Sequence, residues 1–303
     1  MSGPVLKSLD DSDEFLNILY FGDPGSGKTT DVMDMARLGR VIVVDAEAGI
    51  KKRPLRRLGI PTENIYPYTV RSYADLDALY WKVKAQLDEA PGSIVGTVFD
   101  SVTEIQKVLL EAIIKERQDK LNAAAARGGF EVKSDEFEVD RDEYGKMTEQ
   151  LRRVTRRFRD LPCHTGFVCL AKRDVDKEGD GGIVYRPALT PAFANDLAGY
   201  VDIVAYVQQS DGDADDLSRF TAVTRPLGKY RGKDRTGSTP EIMPNPTFTR
   251  VWSYVTSDDP DALAASDPFV LARARRLGQL PEQQEPAPDG VDTETGEMTD
   301  VPV

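Results

Sequence analysis

The stretch NILYFGDPGSGKTT, residues 17–30, decides the fold of this chain. It begins with a short apolar run, residues 17–21, which is typical of a buried strand that ends in a glycine loop. Residues 22–29 fit the pattern G-x-x-x-x-G-K-[ST] between this predicted strand and a predicted helix, which is the context that the motif requires. The stretch therefore predicts a loop that binds the phosphates of a nucleotide.

The residues of such a loop have distinct chemical roles. Its glycines let successive backbone N–H groups face the phosphates, and the N-terminus of the next helix adds its dipole. We expect the Lys28 ammonium group to reach the β and γ phosphates and the Thr29 hydroxyl group to bind Mg²⁺. The predicted nucleotide-binding residues are Gly22, Asp23, Pro24, Gly25, Ser26, Gly27, Lys28, Thr29 and Thr30.

Helices and strands are predicted to alternate after the loop. Helical spacing of apolar residues predicts a first helix that carries Val32, Met35 and Ala36 and stops at Gly39. Further helices are predicted after a capping box of Ser72 and Asp75, over 103–126 and over 144–158. Apolar runs predict strands at 41–45, 94–100, 165–171, 201–207 and 219–224, and a β-hairpin within 175–187 whose turn includes Gly179, Asp180, Gly181 and Gly182. This alternation predicts an α/β fold of three layers with a mostly parallel central sheet.

Composition divides the 303 residues into four parts. An N-terminal extension, 1–14, precedes the α/β core, 15–255, and a short helical extension, 256–280, follows with one helix over 261–277. The last part, 281–303, is acidic, contains no lysine or arginine and supplies most of the net charge of −12. We expect it to be disordered because it cannot bury enough apolar surface to offset its ordering entropy. It is either a solubilising tail or an acidic segment that mimics DNA or docks a replication partner.

Composition also excludes several classes of protein. No stretch approaches the roughly 18 apolar residues of a membrane helix, and the start lacks the pattern of a secretory signal, so a cytoplasmic protein without membrane contact is expected. Cys163, His164 and Cys169 crowd one short segment and are interpreted as buried thiols beside a histidine, not as a metal site. A single histidine also makes Ser-His-Asp and Cys-His hydrolases poor interpretations.

Three carboxylates follow predicted strands, where open parallel sheets bind their ligands. Asp100 closes the strand TVFD and is predicted to hold Mg²⁺, although an aspartate there also suits a helix cap. Asp45 and Glu47 end the strand after the loop helix, in VIVVDAEAG. We choose Glu47 as the general base that polarises water and Asp45 as the second choice, against the alternative of a solvated carboxylate.

GDPGSGKTT, VVDAEAG and TVFDSVTEI, in this order and spacing, resemble the ATPase core of RecA-type recombinases. They are most similar to phage-encoded RecA-like AAA ATPases that act as single-strand annealing proteins, in which a Tyr144-Gly145 helix and a strand like TGFVCLAKRD recur. The resemblance spans about 15–235. It implies a RecA-like core, ATP and Mg²⁺ as ligands, Asp100 as the Walker B carboxylate, Glu47 as the catalytic glutamate and, for a phage protein, the host cytoplasm.

The resemblance also assigns a sensor of the γ phosphate to the end of the fourth strand. Lys172 or Arg173 stands there, and we choose Lys172 as a catalytic residue. RecA-type enzymes carry a glutamine near this position, so a basic pair departs from their pattern. The alternative is plain surface charge.

Single-stranded DNA and further copies of the chain, in a ring or filament, are the partners that the resemblance implies. The two segments that would enclose DNA, 127–141 and 174–187, are rich in acids. Two basic clusters remain, the arginines within 152–159 and the segment 225–235. For the first cluster a solvated helix face is the favoured interpretation. For the second we predict contact with DNA or with a neighbouring subunit's ATP through Arg225, Lys229, Tyr230, Arg231, Lys233 and Arg235.

The sequence thus predicts an ATP-hydrolysing protein that acts on single-stranded DNA in recombination, annealing or repair. One alternative is an annealing or loading module in which ATP sets assembly and turnover is negligible. Under either function, a single-strand-binding or replication protein is a further candidate partner. Another alternative is a small-molecule kinase, although no acceptor pocket or lid is recognisable in the sequence.

Overall fold

The computed structural model describes four ranges of the chain, 14–128, 139–175, 181–210 and 217–279. Several predictions lie outside these residues. They concern nearly all of the N-terminal extension, most of the charged segment 127–141, part of the hairpin turn and the acidic tail.

The described strands join into one twelve-stranded sheet. Six neighbouring strands in the order β7-β1-β5-β4-β2-β3 pair in parallel, and β8 and β12 extend this sheet in antiparallel fashion beside β7. The mostly parallel sheet is therefore confirmed. The strands are β1 Asn17–Gly22, β2 Val41–Asp45, β3 Ile65–Tyr68, β4 Gly96–Asp100, β5 His164–Val175, β6 Ile183–Pro187, β7 Ile203–Gln209, β8 Phe220–Val223, β9 Pro226–Leu227, β10 Tyr230–Arg231, β11 Lys233–Asp234 and β12 Ile242–Pro244.

Helices cover both faces of the sheet. On β1, Ile18 and Tyr20 face a core shared with α1 and α7, while Leu19 and Phe21 face a core shared with α3 to α6. Because side chains alternate along a strand, both faces are apolar and three layers result. No described helix is both long and apolar enough to span a bilayer. The helices are α1 Lys28–Met33, α2 Lys52–Arg57, α3 Tyr73–Glu89, α4 Val102–Gly128, α5 Arg141–Arg159, α6 Pro191–Tyr200, α7 Phe248–Val255, α8 Pro260–Ser266 and α9 Pro268–Arg276.

Two elements near the predicted site differ from their predicted lengths. The helix after the loop is α-helical only to Met33 and continues as a 3₁₀ turn, Asp34–Arg37, although Met35 and Ala36 are buried as predicted. Strand β5 runs beyond the predicted 165–171 to Val175. The extra residues pair with β6 in the predicted hairpin, and this pairing keeps them extended.

The prediction of one helix over 261–277 is wrong, because two helices, α8 and α9, occupy this part. Pro268 disfavours helical backbone at the preceding residue, so Asp267 is extended. Its carboxylate caps α9 by accepting from the backbone N–H groups of Phe269 and Val270. A second carboxylate contact, from the Arg250 guanidinium at 2.6 Å, ties this extension to α7.

Candidate active site

The phosphate loop lies between the end of β1 and the first residue of α1. A Cβ atom at Gly22 would lie 2.1 Å from the carbonyl oxygen of Val207 on the neighbouring β7, so only glycine fits there. Gly27 has φ 97°, a left-handed conformation that side chains rarely adopt. The bend that the motif predicts therefore depends on glycine at two of its positions.

Lys28 points back into the loop that precedes it. Its ammonium group donates to the carbonyl oxygens of Gly22 at 3.0 Å and Asp23 at 2.7 Å, and to Ser26 Oγ at 3.3 Å. The side chain is only 7% exposed, and burial lowers its pKa while the nearby Asp100 acts in the opposite direction. The loop thus holds a desolvated ammonium group among its own backbone oxygens, where phosphate oxygens make stronger partners.

Thr29 and Asp100, the two predicted magnesium ligands, lie near each other. The Thr29 hydroxyl lies near enough to the Asp100 carboxylate to favour its charged form, which acts to lower the pKa of Asp100. Burial raises the pKa of Asp100 to about 6, with the charges of Glu47 and Asp45 adding to the rise. A hydroxyl and a carboxylate are the oxygen ligands that Mg²⁺ prefers, and such sites are completed by waters and substrate phosphates. The residues therefore fit the ion, although the described residues contain no cluster of three or more histidine, cysteine or acidic side chains that could hold a metal.

Glu47 and Asp100 lie at the ends of neighbouring parallel strands. Asp45 is in register with Asp100, and the backbone N–H of Ala46 donates to the Asp100 carbonyl oxygen at 3.2 Å. Two residues further, Glu47 Oε1 accepts from Ser101 Oγ at 2.8 Å. Asp45 Oδ1 instead accepts from the backbone N–H of Gly49 at 3.2 Å, which makes it a support for the turn. The geometry thus gives Glu47 and Asp45 different surroundings, with Glu47 beside the residue that follows Asp100.

A family model described as the AAA domain matches residues 14–236, which is well over half of the chain. The chain belongs to the AAA domain family. This membership indicates a nucleotide-binding ATPase of the P-loop class, which usually binds Mg²⁺ with its nucleotide. No curated protein matches the chain.

Within the AAA domain, Lys172 on β5 contacts the segment that follows β6. The Lys172 ammonium donates to the carbonyl oxygen of Leu189 at 2.7 Å. The adjacent Arg173 donates from Nε to the Tyr185 hydroxyl at 3.2 Å and lies over the Tyr185 ring. Both cations of the predicted γ-phosphate sensor therefore have protein partners, and the sensor role of Lys172 stays a prediction.

Several cations of segment 225–235 stabilise backbone elsewhere in the AAA domain. Lys233 donates to the carbonyl oxygens of Ala198 and Val201, at 2.8 and 2.7 Å, at the C-terminal end of α6. Arg235 donates to the carbonyl oxygen of Gly199 at 3.0 Å and pairs with Asp202. Cations at a helix C-terminus are favourable because they satisfy its free carbonyl groups and its dipole.

Of the other residues predicted to contact DNA or ATP, Arg225 binds backbone oxygens, whereas Tyr230 and its two neighbours form a separate group. Arg225 donates to the carbonyl oxygens of Gly237 and Thr239, both at 3.0 Å, which closes the loop in which it lies. Tyr230 stacks on Tyr206, with ring centroids 4.4 Å apart. The exposed Lys229 and Arg231 flank this tyrosine.

The Tyr230 stack connects the basic segment to the phosphate loop. Tyr206 packs edge-to-face against Phe21 on β1, at 5.2 Å between ring centroids. Burial raises the pKa of Tyr206, and the charge of Asp23 in the loop raises it further. Lys229 lies over the rings of Tyr185 and Tyr230, at 5.3 Å from each centroid. The sequence showed Tyr230 among cations but not the buried rings that it contacts.

The arginine cluster of α5 lies mostly in ion pairs. Arg152 pairs with Asp196 at 2.6 Å, and Arg157 pairs with Asp77 on α3. Both pairs join α5 to neighbouring helices. This supports the interpretation of the cluster as an ordinary helix face.

The histidine and both cysteines are structural. Cys163 and Cys169 are buried free thiols, as predicted, and burial raises the pKa of Cys163 to about 12. His164 Nδ1 accepts from the backbone N–H of Leu16 at 2.9 Å, and burial lowers its pKa to about 4. His164 is therefore neutral near pH 7.

Sequence reasoning missed a second pair of buried carboxylates beside the loop, Asp31 and Asp34. They lie three residues apart, and burial raises the pKa of Asp31 well above its usual value, with Asp34 adding to the rise. A weak signal was present, because each acid directly precedes a predicted core residue, Val32 or Met35. An acid in the first turn of a helix is also ordinary, so the signal was easily overlooked.

Proposed function

We propose that this AAA-domain protein is a RecA-like ATPase of the phage annealing or recombination type, which hydrolyses ATP with Mg²⁺ and acts on single-stranded DNA. One observation carries the hydrolysis part. Asp100 ends β4, Glu47 follows the end of the neighbouring β2 and accepts from Ser101, and the Thr29 hydroxyl lies near the Asp100 carboxylate. A base, a magnesium ligand and a phosphate loop are the parts that phosphoryl transfer to water requires.

Each of these side chains has a role in the proposed reaction. The backbone of the loop and the Lys28 ammonium bind the β and γ phosphates, and Thr29 and Asp100 hold the ion. When bound, Mg²⁺ neutralises charge that develops on the phosphate oxygens. The Ser101 hydroxyl orients one carboxylate oxygen of Glu47, so the other oxygen accepts the proton of the attacking water.

The DNA part of the proposal rests on the basic segment 225–235. Lys229 and Arg231 are exposed and lie on either side of Tyr230, which stacks through Tyr206 onto the strand of the phosphate loop. Cations that track a backbone near an aromatic side chain suit single-stranded nucleic acid. In a ring or filament of identical chains, the same segment could instead reach the ATP of a neighbouring subunit.

A second candidate function is an ATP-regulated annealing or loading module with negligible turnover. The contacts of Lys172 and Arg173 favour it, because both cations of the predicted γ-phosphate sensor are bound to protein atoms. ATP would then act by setting the assembly state.

Two measurements on the full chain test the proposal. Fluorescence anisotropy with a labelled oligonucleotide, with ATP, ADP or neither across a salt series, measures DNA binding. Phosphate release with and without the oligonucleotide measures turnover. DNA-stimulated turnover supports the first candidate, and DNA binding without turnover supports the second. Absence of oligonucleotide binding at low salt with every nucleotide rejects the DNA part and leaves ATP binding to be judged separately.

A further inference from the structure

A cavity of about 300 Å³ lies directly beside the phosphate loop. Gly27, Thr30 and Asp31, at the end of the loop and the start of α1, form one wall. Phe220 at the start of β8 and Asn245 after β12 form part of the opposite wall. Its volume is at the lower end of the range of about 300–1,000 Å³ that is typical of ligand pockets, which suits a small planar group.

The cavity continues the phosphate loop instead of forming a separate site. Gly27 and Thr30 belong to the loop motif and also line the cavity. A Cβ atom at Gly27 would lie 3.3 Å from a ring carbon of Phe220, so this ring is close to the loop backbone. A nucleotide whose phosphates lie in the loop can therefore place its base against Phe220.

The two carboxylates of this cavity differ in their hydrogen bonds. Asp34 Oδ2 accepts from the backbone N–H of Thr249 at 3.0 Å and from the Thr249 hydroxyl, and Asp34 Oδ1 accepts from Arg37. Asp31 is only 4% exposed, and its Oδ2 has no hydrogen-bond partner. Leaving a buried polar atom unpaired is unfavourable, so this oxygen is ready to accept from a ligand that enters the cavity.

The opposite wall is fixed by its own hydrogen bonds. Asn245, with φ 48°, donates from its backbone N–H to the Phe220 carbonyl oxygen at 2.6 Å and accepts from Arg250 Nε at 3.0 Å. Arg250 in turn pairs with Asp267. Asn245 and Arg250 lie beyond residue 236, where the match to the AAA domain ends. The match to the AAA domain therefore does not include these residues of the wall.

We propose that the cavity binds the base of the nucleotide and that Asp31 Oδ2 accepts a hydrogen bond from the exocyclic amino group of a purine. Phe220 packs against the base. The inference rests on the proposed function, because the phosphate loop must hold the triphosphate for the base to reach Asp31. Selection arises because a purine without the amino group leaves the buried carboxylate oxygen unpaired.

The full chain is titrated with Mg²⁺ and five ligands, and dissociation constants are measured by calorimetry. ATP is compared with purine riboside triphosphate, which lacks the 6-amino group, and GTP with ITP, which lacks the 2-amino group. Inorganic tripolyphosphate reports the phosphate loop alone. We expect one of the two pairs to differ by at least about tenfold, and the pair that differs identifies the purine.

Two variants show which side chains produce this difference. Asp31→Leu removes the acceptor at similar size, and we expect it to abolish the ratio within the pair while tripolyphosphate still binds. Phe220→Ala should weaken both members of the pair and leave the ratio. Thermal denaturation of both variants reports folding, and the comparison of ligands on the unaltered chain does not depend on either.

Three results overturn the inference. Equal affinity within both pairs on the unaltered chain rejects amino-group selection, although nucleotide binding stands. A ratio that survives in folded Asp31→Leu assigns the selection to another group. Failure of all five ligands, tripolyphosphate included, rejects the phosphate loop itself and thus the proposed function with it.

Discussion

The phosphate loop and the basic segment 225–235 are both dense in groups that suit phosphate, yet the fold uses them differently. In the loop, Lys28 contacts oxygens of residues at most six positions away. In the segment, Lys233 and Arg235 contact the end of α6, more than thirty positions away. A motif whose geometry comes from adjacent residues can be interpreted locally. A run of cations cannot, because its partners depend on the tertiary fold.

The largest difference between the two regions is expected at Glu47, beside the phosphate loop. The site around the loop is proposed to hydrolyse ATP, whereas the basic segment is not. We expect Glu47→Gln to lower turnover by about 10²–10⁴-fold while ATP still binds, because an amide cannot accept the proton of water. Phosphate release at saturating ATP gives the turnover, and calorimetry gives the affinity.

Asp45→Asn is the matched control for that variant, since Asp45 ends the same strand but supports the turn through Gly49. If Asp45→Asn rather than Glu47→Gln removes turnover, the two roles are exchanged. If both variants keep full turnover, the general base lies elsewhere.

Lys28→Ala tests the local character of the loop. Removing a charged donor to phosphate should weaken binding of ATP with Mg²⁺ about 100-fold, or about 2.7 kcal/mol. The fold should remain. The lost hydrogen bonds join Lys28 only to carbonyl oxygens of the loop, and their loss is offset because the variant no longer buries a charge. Calorimetry measures the affinity and thermal denaturation checks the fold. Lys115→Ala, an exposed lysine paired with Asp119, is the control, and equal affinity in Lys28→Ala would contradict the assignment.

Lys233→Met tests the structural use of the basic segment. Methionine keeps most of the apolar stem but loses the contacts to Ala198 and Val201, so unfolding should be easier by about 1–2 kcal/mol. Urea unfolding measures this change. Lys229→Met is the comparison variant, because its ammonium lies over tyrosine rings. If Lys229→Met destabilises the protein as much as Lys233→Met, the proposed division of this segment is wrong.

The elements that the sequence predicted well are those with short-range causes. The strand and glycine loop of residues 17–30, the parallel sheet and the approach of Asp100 to Thr29 follow from apolar runs and from the common edge of parallel strands. The break at Asp267 depends on Pro268, a local signal that the prediction of one helix over 261–277 ignored.

The rest depends on contacts between distant parts of the chain. The cavity beside Asp31 forms only when Phe220 and Asn245, some 190 to 215 positions away, pack near the loop. No pattern around Asp31 reveals this packing. The same reason explains why the buried stack of Tyr230 on Tyr206 was not predicted, although Tyr230 itself was singled out.

Lys229→Gln has the smallest expected effect and separates the two proposed uses of the segment. If Lys229 contacts a DNA phosphate, the variant should bind a labelled oligonucleotide a few-fold more weakly, and the slope of log affinity against log salt should fall by about 1. Lys82→Gln, an exposed lysine on α3, should change neither quantity. If Lys229 instead reaches a neighbouring subunit's ATP, the salt slope stays and turnover falls only at concentrations where the chain assembles. A variant that changes neither DNA binding nor turnover assigns Lys229 to its tyrosine contacts, and Arg231 is then the remaining candidate for a DNA contact, since Lys233, Arg235 and Arg225 already bind backbone oxygens.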